Sequence, residues 1–233
     1  MDHKPGLLSR KWVRVLLYAV SALLLACGVF LLVREHVLLP DPDFVMPETP
    51  APTPEPTPEP TPVPGETPVP TPSPTPYVRP VPVRISFVEA KQSCEVFPGG
   101  VLENGQMEVI DRADAATWLE NVSGSLRPAP GEEGNAIIAG HKSKDGVAGT
   151  FKVLWDAKAG DAVVIDYEDG TQGWFYIDSI DRYPYQEVPA SVMSANAESP
   201  QLTLITCIGE WDSSGGTSSE RIVAVCKLDP PAV

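Results

Sequence analysis

Residues 83–233 of this chain read as one all-β domain, an antiparallel barrel or sandwich of about seven strands. Three observations predict that class. Short runs rich in Val, Ile, Tyr and Phe recur from Val83 onward, turn signals such as ENG, EDG and SSGG separate them, and few stretches have helical texture. In order, the strand runs are VRISFV from Val83, QMEVI from Gln106, NAIIA from Asn135, AVVIDY from Ala162, GWFYIDSI from Gly173, LTLIT from Leu202 and RIVAVCKL from Arg221. Only ADAATWLENV, GTFKVLWDAK and ASVMSANAES suit short helices. A span of roughly 150 residues is a common domain size and holds one core.

Two segments of other character precede this domain. Eighteen of the 27 prolines lie between Pro40 and Pro82, in a Thr-Pro-x-Pro repeat with scattered Glu. Such a stretch lacks the apolar surface to offset its ordering entropy, so residues 35–82 are expected to be a linker, in which the roughly 43 residues from Pro40 to Pro82 reach up to about 130 Å if their prolines hold them in polyproline II. Upstream, residues 15–33 form an uncharged apolar run. At 1.5 Å per residue it measures about 28 Å, one bilayer core. Lys4, Arg10, Lys11 and Arg14 precede it, which puts the N-terminus in the cytoplasm and the rest outside. Residues 1–34 are thus expected to be a cytoplasmic tail and signal anchor. A cleaved signal peptide fits less well, because the run exceeds an h-region and shows no A-x-A site. A lipoprotein signal ending at Cys27 is disfavoured by the apolar GVFLLV that follows it.

Charge narrows the partners. With 31 acidic against 17 basic side chains the net charge is −14, the wrong sign for coating phosphate backbones, so nucleic acid is excluded. Residues 1–36 carry five basic and two acidic side chains, which leaves −17 on the exported part. Membrane contact is therefore expected through residues 15–33 alone. Of the four cysteines, Cys27 falls in the apolar run and Cys94, Cys207 and Cys226 in the domain, an odd number for an exported protein.

The chemistry is found by elimination. The only histidine in the folded part is His141, delivered by the strand run NAIIAG and followed by the polar KSKDGVAG. A lone histidine at a strand end is more often solvated or structurally bonded than catalytic. Cys207 closes LTLITC and precedes Ile208 and Gly209, so it too ends a strand at a loop. Thiol and imidazole can meet in space across such a separation. Cys226, inside IVAVC, suits a small core hydrophobe instead. Arg221 opens the last strand after GEWDSSGGTSSE; a guanidinium there can stabilise an oxyanion, or pair with Glu220 or Glu210.

Together these residues carry a resemblance. LTLITC matches the TLxTC signature of the sortases, cysteine transpeptidases of Gram-positive cell surfaces, and GQMEVI, GNAIIAGH, AGD, DG and RIVAV follow the family's order across the domain. The resemblance implies a closed β-barrel of about seven to eight strands with few short helices. It makes Cys207 the nucleophile, His141 the acid/base partner and Arg221 the oxyanion or substrate-positioning residue, with Thr206 touching substrate or the oxyanion site. The motifs look closer to classes D, E and F than to class A. Asp41-Pro42-Asp43-Phe44 is similar to a pilin-type DPF lid but is expected to lie too far from the domain to act as one. The absence of a second apolar run in the given sequence favours wall attachment over pilin polymerisation.

The implied partners are proteins with an LPxTG-like sorting signal and an amine acceptor from a peptidoglycan precursor or another protein. No cofactor or metal is expected, there being no EF-hand-like carboxylate cluster. With reference pKa values near 8.5 and 6.5 for Cys and His, only about 3% of the thiol is ionised at pH 7. An L,D-transpeptidase would show a His-Gly-Cys motif, which the sequence lacks. A cysteine protease, or a non-catalytic peptide-binding module on a stalk, are the remaining alternatives.

Overall fold

The computed structural model describes residues 40–47, 77–213 and 216–228, with Tyr18, Ser21, Leu24 and Leu25. The anticipated span 15–33 otherwise lies outside the described residues, as does most of the anticipated linker. Among the described residues no helix is long and apolar enough to cross a membrane.

Among the described residues twelve strands follow one another: β1 Pro82–Phe87, β2 Gln92–Gly99, β3 Ala115–Leu119, β4 Asn121–Val122, β5 Ser125–Leu126, β6 Asn135–Gly140, β7 Ser143–Lys144, β8 Val147–Ala148, β9 Ala162–Tyr167, β10 Gln172–Pro184, β11 Gln201–Asp212 and β12 Thr217–Leu228. Eight of them close into a barrel in the order β1-β2-β3-β6-β11-β12-β10-β9, while β4-β5 and β7-β8 are small hairpins. Closure removes the sheet edges on which other chains could pair. The all-β barrel expected from the sequence is thus found, with two differences in pairing. β2 with β3 and β6 with β11 run parallel rather than antiparallel.

Strand alternation fills the interior. Ile85 and Phe87 of β1, Val163 and Ile165 of β9, Phe175 and Ile177 of β10, Leu202 and Leu204 of β11, and Ile222 and Ala224 of β12 all point inward into one cluster. Phe151, from the 3-10 helix Thr150–Trp155, plugs the barrel and meets Phe87 edge to face at 5.4 Å. Trp118 is fully buried; its indole N–H donates to the Pro128 carbonyl at 3.2 Å, and Arg79 stacks on its ring.

Several local expectations are corrected. ADAATWLENV is not a helix: its centre is β3, every residue of which is buried between β2 and β6, and that tertiary setting outweighs the helical preference of Ala and Leu. ASVMSANAES forms turns only, whereas GTFKVLWDAK holds the 3-10 helix just described. QMEVI is no strand, contributing one isolated bridge, Val101 with Met107. QSCEVFPG, passed over in the sequence, is β2; it buries Gln92, Cys94 and Val96 in alternation. Cys94 and Cys226 are unpaired core residues whose thiols burial pushes well up, Cys94 to about 12.

Gly140 also has another purpose than a turn. It ends β6, and a Cβ there would run into the Phe151 ring. Gly140→Ala is therefore expected to destabilise the domain by about 1–3 kcal/mol through overpacking. Phe151→Leu in the same chain should recover part of that loss. Denaturant midpoints check this, and additive effects of the two substitutions would contradict it.

Candidate active site

β6 and β11 leave the barrel side by side because their parallel register runs from Gln201 opposite Asn135 to Ile205 opposite Ala139. Two residues beyond that last pair, the strands deliver His141 and Cys207. The intervening pair is locked by a hydrogen bond in which the buried Thr206 hydroxyl donates to the Gly140 carbonyl at 2.9 Å. On its other side β11 pairs antiparallel with β12, and Cys207 sits directly opposite Arg221. Leu204 and Ile208 point inward, so Cys207, and Arg221 across from it, project from the outer face. His141, Cys207 and Arg221 are all half-buried, and the fold brings them to one rim.

Thr206 takes a different position. It is 2% exposed and its hydroxyl donates toward the barrel wall, not toward the face that bears Cys207.

Each of the three rim residues is held. Arg221 Nη1 donates to the carbonyls of Ser218 and Glu220 at 2.9 and 3.0 Å, Nη2 donates to Thr217 Oγ1 at 2.6 Å, and the guanidinium lies 5.1 Å from the Tyr185 ring centre. Its contact with Glu220 is thus to the backbone. The Cys207 carbonyl accepts from Trp155 Nε1 at 3.2 Å. Lys142, next to His141, donates from Nζ to the Gly209 carbonyl at 2.9 Å, and both Lys142 and Lys152 approach the Trp155 ring. Gly209 has φ +80°, a left-handed bulge conformation suited to glycine, and a Cβ there would strike Ser219.

His141 has a distinct electrostatic setting. Burial holds its pKa below the ordinary imidazole value, and the Lys144 ammonium lowers it further. Asp111, a hydrogen bond with the Ile110 backbone and Asp145 act the other way. Lys144 itself is paired with Asp111 at 2.6 Å and Asp145 at 3.7 Å. The neutral imidazole is therefore favoured at pH 7. Its Nε2 is buried and has no hydrogen-bond partner.

The crossover from β10 to β11 hangs on the outer face of β6. Asn135 Nδ2 donates to the carbonyls of Val192 and Ser194, both at 3.0 Å, while its Oδ1 accepts from Thr203 Oγ1 at 2.7 Å. Outward-facing Ile137 and Val223 are buried, whereas Ile205 and Cys207 stay half-open. An open cavity of about 940 Å³ lies beyond the start of β6, between Arg127, Glu132 and Ala195, and contains none of the three rim residues. Among the described residues no three His, Cys, Asp or Glu side chains converge as a metal would require.

Trp155, Lys142, Asn135 and Tyr185 were not singled out in the sequence. Three of them act on main-chain carbonyls of distant segments, a relation that no local motif marks. Only Lys142, adjacent to His141, had a position that pointed to the site.

A half-exposed thiol set opposite a guanidinium, with a histidine at the same rim of a closed barrel, is the arrangement of a cysteine nucleophile with a base and an oxyanion donor within reach. The family model for the sortase domain matches residues 96–229, more than half of the chain, and the chain belongs to the sortases, a family of cysteine transpeptidases. Among solved structures it is similar to sortase A from Corynebacterium diphtheriae, with 21% identity over 66% of this chain and 62% of that one, at a TM-score of 0.46. Listeria monocytogenes sortase A matches with 21% identity over 64% of this chain and 88% of that one, at 0.45. The lid mutant of Streptococcus agalactiae sortase C1 matches with 17% identity over 64% and 69%, at 0.46. No curated protein matches.

The His141 setting carries a test. Its folded pKa is held below its unfolded value, so the unfolded chain binds more protons between the two. Stability contributed by neutral His141 is present above the unfolded pKa and is lost as pH falls through that window. Lys144→Met removes an adjacent cation and frees Asp111, so the His141 pKa, followed by NMR, should rise. An unchanged or lower pKa would contradict the assigned cause.

Proposed function

We propose that this sortase cleaves an LPxTG-like sorting signal through a thioacyl enzyme and transfers the acyl group to an amine of the cell wall. The observation that supports the reading is the register: Cys207 pairs with Arg221 on β12, and the parallel β6–β11 pairing ends two residues before His141 and Cys207.

In this reading His141 accepts the Cys207 proton as the sulfur attacks the carbonyl of the signal's Thr residue. A C–S bond forms and the carbonyl π electrons move to oxygen. Arg221 stabilises that oxyanion, swinging from the Thr217, Ser218 and Glu220 oxygens that hold it in the free protein. Collapse breaks the peptide C–N bond, and His141 returns its proton to the departing amine. An acceptor amine then attacks the thioester, passes its proton to His141 and releases Cys207. The neutral resting imidazole fits this cycle, because it can take a proton at neutral pH. Thr206 serves as a positioning residue through Gly140.

We further read residues 1–34 as a cytoplasmic tail and signal anchor, residues 35–82 as an extracellular linker and residues 83–233 as the catalytic domain. Contrary to the distance expected from the sequence, the DPDF segment touches the domain, at the turn before β2 and at Ser93 of β2; we read it as no lid, because β2 lies three strands from β11 in the barrel order.

Incubating the full chain with an LPxTG-type peptide and analysing it by mass spectrometry should reveal a thioester on Cys207 bearing the N-terminal part of the peptide. Cys207→Ala should abolish turnover, and His141→Ala or Arg221→Ala should slow acylation by about 100-fold or more. Turnover by Cys207→Ala would remove the assignment. Hydrolysis in the presence of excess amine would instead identify a protease.

A further inference from the structure

Residues 40–47 are far from the barrel in sequence but rest on it. The Asp41 amide donates to the Lys91 carbonyl at 2.9 Å, and Asp41 Oδ2 accepts from Ser93 Oγ at 3.3 Å. The same residue folds its own neighbours into a turn: Asp43 N–H donates to Asp41 Oδ1 at 3.0 Å and Phe44 N–H to the Asp41 carbonyl at 3.1 Å. Asp41, Phe44 and Pro47 are half-buried, three residues apart, while Val45 and Met46 between them are exposed. Val45, Met46 and Pro47 share the walls of a cavity of about 440 Å³ with Arg84, Ser86, Asp166 and Gln172.

The barrel face beneath is unusual for an outer surface. Ile85, Val163 and Phe175 point inward, so Ser86, Val164 and Trp174 face outward, in a row across β1, β9 and β10. Ser86 and Val164 are nevertheless 3% and 0% exposed. Ser86 lines the cavity that residues 45–47 also border.

Its place in the barrel decides what the covering segment can do. In the closed order, β1 and β11 are four strands apart in either direction. The segment therefore sits on the wall opposite Cys207.

We propose that residues 40–47 form an intramolecular clip that docks on the β1-β2-β9 face and sets the length and direction of the tether. While the clip is docked, residues 48–76 join two points on the same domain instead of separating the domain from its N-terminal run. On the anchoring reading given above, only residues 34–39 then lie between membrane span and domain, a reach of about 20 Å. With the clip released, the same tether extends to about 130 Å. Docking also turns the Cys207 face away from the point where the N-terminal chain enters.

Spin labels at Val45→Cys and Gln172→Cys, in the full chain carrying Cys27→Ala and Cys207→Ala, test the clip by pulsed dipolar spectroscopy. A single short distance is expected, broadening in the Asp41→Ala, Ser93→Ala double variant. A broad, long distribution in the parent would overturn the clip; a short distance that survives both substitutions would overturn Asp41 as its anchor. Because the readout is a distance in a chain that lacks Cys207, failure of the proposed chemistry leaves it unaffected.

Discussion

The parallel pairing of β6 with β11 is the constraint on which the candidate site depends. Neither strand is adjacent to the other in sequence, β6 is buried throughout and β11 buries Leu202, Thr203 and Leu204, so their register is set by the core they fill and not by a turn. A slip of one residue would send Leu202 and Leu204 outward and Cys207 into the barrel. The Thr206 hydroxyl bonded to the Gly140 carbonyl fastens the pair at the rim, and Phe151 packed on Gly140 fixes the same point from inside. Everything chemical at the rim inherits its position from this junction.

Alternation then separates a reactive thiol from two inert ones. Cys226 lies on the strand next to Cys207 but faces inward, as Cys94 does on β2, and burial disfavours the thiolate at both. Cys207 faces outward and is half-open. Around it, Trp155 and Lys142 hold main-chain carbonyls on either side of the bulge at Gly209. These contacts leave the thiol unencumbered while restraining its backbone, which is what a nucleophile that must meet both an imidazole and a carbonyl requires.

Much of this was legible in the sequence, for identifiable reasons. NAIIAG and LTLITC are short apolar runs that stop at a glycine or a bulge, so both their strand character and their rim positions could be read, and His141 and Cys207 came with them. Cys226 could be read as a core residue from IVAVC, as found, whereas nothing in the spacing assigned Cys94. ADAATWLENV misled because Ala and Leu favour helices, and only burial on both sides makes that segment β3. QSCEVFPG was missed although its burial alternates cleanly, since Pro98 and Gly99 look like a turn. Parallel pairing, and the reach of Asn135 to Val192 and Ser194, join residues far apart in sequence and leave no local trace.

The prolines acquire a second meaning from the fold. As composition they mark a spacer; bounded by Asp41 on one side and by Tyr77 and Arg79, which both engage Glu132, on the other, they join two docked ends. The central claim remains the shared outer face of His141, Cys207 and Arg221. It is tested most directly by a crystal structure of the domain with a sorting-signal peptide joined to Cys207 through its C-terminal carbonyl or a thiol mimic of it. The account predicts the peptide on the outer face of β6 and β11, its carbonyl oxygen within hydrogen-bonding distance of the Arg221 guanidinium and His141 Nε2 beside the sulfur. A peptide lying elsewhere, with Arg221 still folded onto Thr217, would contradict it.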